Sequence, residues 1–163
     1  MASILNVDQI GHSTSGTTAL TIDSSGRILT PARPAFHMTR TTSTSGAGDI
    51  TYEHTLFDIG NNTNASTGEF TAPITGIYSM TFASIGPGSG SYAIAIVGYI
   101  DNVQTTQFTL RPLSANAAVS YSPQGSLTAP VQLNAGEKFK LNANGPLYSD
   151  TTTWIRFAGY LIG

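Results

Sequence analysis

The residues of this chain that could do chemistry are three histidines, nine carboxylates and a glycine-rich pentapeptide, and their spacing argues against each use. His12 lies in the polar stretch Gly11–Gly16, and His37 and His54 fall in separate strand-like segments; no two share a metal-ligand spacing. Glu53 adjoins His54, but neighbouring side chains on a strand point to opposite faces, so the pair cannot converge on one ion. The carboxylates are spread thinly, with no close pair that suggests glycoside hydrolysis. Serine is abundant, yet no nucleophile elbow is present. Gly86-Pro87-Gly88-Ser89-Gly90 lacks the lysine and the following helix of a phosphate loop, and reads as a turn. The glycosylation sequons at Asn61-Asn62-Thr63 and Asn64-Ala65-Ser66 read as chance matches in an Asn- and Ser-rich chain. The expectation is a protein that is not an enzyme and uses no cofactor or metal.

Composition narrows the partners. At 163 residues the chain supports one domain, burying roughly 70% of its unfolded surface. Charged residues make up 10% and the net charge is -2, so no basic patch argues for nucleic acid. Three of the seven basic residues, Arg27, Arg33 and Arg40, cluster near residue 33 and read as surface or subunit-contact groups. There is no cysteine, hence no disulfide framework. No segment approaches the apolar length of a membrane span, and the start, with its early Asp8 and no basic residue, does not read as a signal peptide.

The elements that would position any site are strands. Segments at 36–40, 50–58, 68–70, 76–84, 91–100, 104–110, 118–121, 125–133, 138–141 and 152–162 read as strands, with loops at 41–48, 86–90 and 142–150. In Phe70-Thr71-Ala72-Pro73-Ile74-Thr75-Gly76-Ile77-Tyr78-Ser79-Met80-Thr81-Phe82, Pro73 removes a backbone donor and Gly76 opens a turn. Tyr78, Met80 and Phe82 then alternate with Ser79 and Thr81, the period of a strand with one buried face. Residues 1–33 differ in composition from residues 34–163 and read as an arm. It has an apolar patch (Ile4, Leu5, Val7, Ile10), a polar spacer, and a hairpin in which Leu20 and Ile22 turn through Ser24-Ser25-Gly26 to Ile28 and Leu29.

The spacing of the central segment, an aromatic, five residues, Gly-x-Tyr and alternating bulky residues, resembles the C1q-type jelly roll shared by C1q-like and tumour-necrosis-factor-like trimers. Pro34-Ala35-Phe36, residues 64–70, Tyr99–Val103, Leu133–Phe139 and Phe157–Leu161 are similar to further strands and turns of that family. Met80 departs from it, standing where an aromatic is usual. The resemblance implies an all-β jelly-roll sandwich over 34–163 and three-fold assembly. It also raises calcium, with Asp101 and Asn102 as the nearest oxygens, although an Asp-Asn pair in a loop is ordinary turn chemistry.

Two strands support assembly independently. Residues 93–100 are apolar on both faces. In residues 154–162, Ile155, Phe157 and Leu161 take one face and Trp154, Ala158, Tyr160 and Ile162 the other. A monomer would expose a sizeable apolar patch, so Tyr99, Trp154 and Tyr160 are expected at a homotrimer interface.

The arm hairpin looks like the starts of short fibre and virion proteins of marine bacteriophages. That resemblance implies a virion-surface appendage of fibre or spike type, docked on other virion proteins through Ile4, Leu5, Val7 and Ile10. Its outward jelly roll would meet a host receptor or glycan, with Tyr148 as a contact aromatic among free loops at 86–90, 101–102 and 142–150. A capsid decoration protein is the alternative. A secreted C1q-like or carbohydrate-binding recognition module is the second alternative.

Overall fold

A computed structural model describes residues 7–11, 13–16, 18–86, 94–110, 124–150 and 154–163. The chain divides into two compact units at Arg33 and Pro34. In the first, β1 (Gln9–Gly11), β2 (Thr18–Ile22) and β3 (Ile28–Leu29) form an antiparallel sheet in the order β1-β2-β3. Gly26 makes the hairpin turn at φ 76°, a conformation that suits a residue without Cβ. Asp23 caps the turn, its carboxylate accepting from the backbone N–H groups of Ser25 and Arg27 and from the Arg27 guanidinium at 2.7 Å.

In the second unit the strands are β4 (Ala35–Arg40), β5 (Gly48–Asp49), β6 (His54–Ile59), β7 (Thr63–Asn64), β8 (Glu69–Thr71), β9 (Gly76–Ile85), β10 (Ile96–Ile100), β11 (Val103–Leu110), β12 (Gln124–Leu133), β13 (Lys138–Ala143) and β14 (Ile155–Leu161). One sheet runs β12-β9-β14-β4-β6; the other runs β11-β10-β13-β8-β7, with β5 on β13. Every pairing is antiparallel, and no helix occurs among the described residues. The fold is the all-β jelly-roll sandwich that the sequence leads one to expect.

The central segment shows why its residue types are needed. Phe70 lies flat on Phe36, with ring centroids 4.7 Å apart, and meets Tyr78 edge-on at 5.2 Å. Phe157 meets Phe36 edge-on at 4.9 Å, so aromatics from both sheets form one packed stack. Tyr78 buries its ring while its hydroxyl donates to the Ile74 carbonyl at 2.7 Å across the turn. Met80 fills the middle of the core opposite Gly159, where a Cβ would lie 2.6 Å from the Met80 sulfur and 2.7 Å from the Phe36 ring. A flexible thioether suits such an irregular space.

Two expectations change. Residues 50–58 are not one strand. The Ile50 and Tyr52 N–H groups donate to Leu141 and Ala65 on the six-stranded side, and the Glu53 N–H donates to Thr39 on the other. The alternation is real, since Ile50 and Tyr52 are buried, but the segment crosses between sheets before β6 begins. Arg40 is not a free contact group either: its guanidinium donates to Thr42 O and to Thr51 Oγ1, both at 2.8 Å, tying down the loop after β4. The strand expected at 118–121 and most of the loop at 86–90 lie outside the described residues.

Candidate subunit interface

The registers of the five-stranded sheet define its outward face row by row. Pro130, Ser79, Tyr160, Ala35 and Ile59 lie side by side across all five strands. The next row is Thr128, Thr81, Ala158, His37 and Phe57, and the one after it Ser126, Ala83, Arg156, Thr39 and His54. Beyond the first row, Gln132 pairs with Ile77, and the Ile162 N–H donates to the Ile77 carbonyl. Alternation sends Tyr78, Met80, Phe82, Phe157, Phe36 and Met38 to the core and puts these rows on the opposite face, where Ser79 and Thr39 are themselves buried.

The face is graded. Ile77, Ile162, Tyr160, Ile59 and Phe57 are each 40% exposed or more and gather at the end where Pro34 enters the domain. Arg156 and His54 occupy the opposite end. Edge strand β6 is open along its length, with Leu56 exposed at the irregularity that lets Phe57 and Ile59 share a face with His37 and Ala35. His37 stands at the centre, edge-on to Phe57 at 6.0 Å. Partial burial, helped by the positive charge of Arg156, holds its pKa below the ordinary histidine value.

The aromatic residues singled out from sequence do not converge. Tyr160 stands in the middle of the apolar rows and is 51% exposed. Trp154 precedes β14 at the polar end, half-buried, with its ring edge-on to Tyr148 at 6.4 Å. Tyr99 belongs to the other sheet, between Gln104 and Lys140. Tyr148 is also half-buried: its N–H donates to the Ile85 carbonyl at 2.8 Å, and its ring leans on Trp154. Phe57, Ile59 and Ile77 were missed in sequence. Their signal was an apolar residue at the solvent parity of an alternating strand.

Elsewhere the polar groups serve turns. Asp101 and Asn102, at φ 47° and 67°, form the tight turn of the β10–β11 hairpin, and the Asp101 carboxylate accepts from the Lys138 N–H at 3.0 Å. That turn lies at the end where Pro34 enters, whereas the loop carrying Tyr148 lies at the opposite end, so the loops expected to share one free surface do not. Ile4 and Leu5 of the expected docking patch lie outside the described residues; Val7 is half-buried and Ile10 is 50% exposed. No group of three or more His, Asp or Glu side chains that could hold a metal occurs among the described residues. Nor is any described helix long and apolar enough to cross a membrane.

Residues 35–162 match the C1q domain family. The chain belongs to that family. Its C1q domain is similar in structure to the globular domain of zebrafish complement 1qA protein, with a TM-score of 0.59 and 18% identity over 80% of this chain and 98% of that one. Murine APRIL is similar with a TM-score of 0.63 and 14% identity, over 80% and 99% of the two chains. Eiger TNF from S. frugiperda gives 0.58 and 14%, over 81% and 94%. At such identities the likeness is one of fold.

Proposed function

We propose that this protein is a non-enzymatic structural module of a bacteriophage particle, a homotrimeric fibre- or spike-type appendage. Its N-terminal arm joins other virion proteins, and its C1q domain faces outward toward a host receptor or glycan. The observation that carries the assembly is the outward face of the five-stranded sheet, where Phe57, Ile59, Ile77, Tyr160 and Ile162 are large, apolar and exposed on a single protomer. Contiguous apolar surface of this kind marks an interface. The C1q resemblance implies that the contact closes on a three-fold axis, which hides the patch without leaving an open end.

The virion placement is supported by the arm hairpin's likeness to short phage fibre proteins, together with low charge and the absence of cysteine. Light scattering on the purified chain should give three times 17.0 kDa. A monomer at micromolar concentration would overturn the assembly. Quantitative mass spectrometry of purified particles should then find the chain at a few trimers each. Hundreds of copies would make it a capsid decoration protein, and absence from particles would return it to the secreted recognition modules.

A further inference from the structure

The arm poses a folding problem that its own residues do not solve. Its sheet is three short strands, and none of its described side chains is buried. A sheet this small needs a hydrophobic face packed on something. The registers supply that face: Ile10 lies opposite Leu20, and Ile22 opposite Ile28, with Leu20 and Ile22 two residues apart on β2. All four therefore project from one side, and Ile10 and Ile28 are 50% and 66% exposed. The reverse side carries Gln9, Thr21 and Leu29.

We infer that this aliphatic face is covered by the same face of two other copies, so that three arms build one stem. The inference rests on the trimer proposed above, and three observations select a second copy as the occupant. The first is tether length. Only Thr30–Arg33 separates β3 from Pro34, a link spanning at most about 18 Å fully extended, and the Arg33 N–H donates back to the Thr30 carbonyl, which shortens it. The second is where the tether starts. Ala35 lies in the row between Tyr160 and Ile59, within the apolar end of the face whose burial the trimer requires. Three chains thus leave their domains beside that contact, and tethering raises the local concentration of each arm for the others into the millimolar range or above. The third is charge. The arm carries Asp8 and Asp23 against Arg27 and Arg33, so no net charge opposes the approach of copies. A stem made this way would present to other virion proteins as one three-armed unit.

The chain has no cysteine, so a single introduced one reports a single position. Three variants, Ile28→Cys, Thr21→Cys and Tyr160→Cys, would each carry a nitroxide label, with inter-copy distances read by pulsed electron resonance on the full-length protein. Facing sheets pack about 10 Å apart, so Ile28 labels should lie within roughly 20 Å of one another in a narrow distribution. Thr21 labels, on the reverse side, leave the aliphatic face intact and should give a longer but equally narrow distribution. Short Tyr160 distances with broad distributions at both arm positions would overturn the stem while leaving the trimer standing. In that case the face would be free for another virion protein. A monomer by light scattering would overturn both.

Discussion

At the scale of single residues, a few side chains and glycines set geometry that substitution should expose. Gly68 sits at φ +71°, and a Cβ there would come within 2.0 Å of the Ile50 carbonyl oxygen. Backbone cannot yield as a flexible side chain can, so Gly68→Ala should cost about 2–4 kcal/mol, read as a lowered denaturation midpoint. Two groups predict acid sensitivity. The Glu53 carboxylate accepts hydrogen bonds from the Thr41 and Thr42 hydroxyls and the Thr41 N–H, which lowers its pKa to about 2 from 4.5. The unfolded state therefore takes up its proton first. The stabilisation is complete above pH 4.5 and is lost as the pH falls toward 2, and Glu53→Gln should flatten that part of a stability–pH curve. Folding also lowers the His37 pKa from 6.5, so the unfolded state binds its proton first and stability declines as the pH falls below 6.5. His37→Gln should remove that decline and leave the loss that Glu53 causes below pH 4.5. Denaturant midpoints measured from pH 8 to about pH 2 check both.

At the scale of elements, the β10–β11 hairpin and the β14 strand make opposite demands. The hairpin turn requires positive φ at Asp101 and Asn102, where Asn-Gly is the favoured pair. Asn102→Gly should leave stability unchanged or raise it by up to about 1 kcal/mol. Asp101→Ala loses both the tolerated conformation and the bond from the Lys138 N–H, and should cost about 1–2 kcal/mol in the same assay. Trp154 sits before β14, half-buried against Tyr148 at the polar end of the sheet. Truncating a fully buried Trp costs about 3–5 kcal/mol, so Trp154→Ala should cost less than that and lower the melting temperature while the assembled mass is retained.

At the scale of the whole molecule, the C1q domain is expected to carry assembly and the arm to carry attachment. Tyr160→Asp places a charge among Ile59, Ser79, Ala35 and Pro130 at a half-exposed position that the domain core does not need. Light scattering should then find monomers while circular dichroism still reports strand. Unchanged mass would remove the apolar rows from the interface. Removing residues 1–33 leaves every strand of both sandwich sheets in place, so the shortened chain should fold and trimerise but fail to join particles. Normal incorporation of the shortened trimer would show that the arm is dispensable for attachment.

The sequence by itself determined the parts that are local. Alternation in Tyr78, Met80 and Phe82 assigned a core face, Pro73 and Gly76 marked a turn, and Leu20–Ile22 with Ile28–Leu29 marked a hairpin; each rests on a period or a turn chemistry fixed within a few residues. Its two-sided apolar strands pointed to apolar residues on the outward face, and Tyr160 and Ile162 are exposed there. Which face each residue joins was not legible, because period two separates the sides of a strand without saying which sheet the strand enters. Tyr99 and Tyr160 read alike along the chain, yet pairing puts one beside Lys140 and the other beside Ala35. Phe57, Ile59 and Ile77 became one patch only through the registers that bring β6, β4, β14 and β9 together. Those registers are hydrogen-bonded pairings between residues up to a hundred or more positions apart, so only the tertiary structure could decide them.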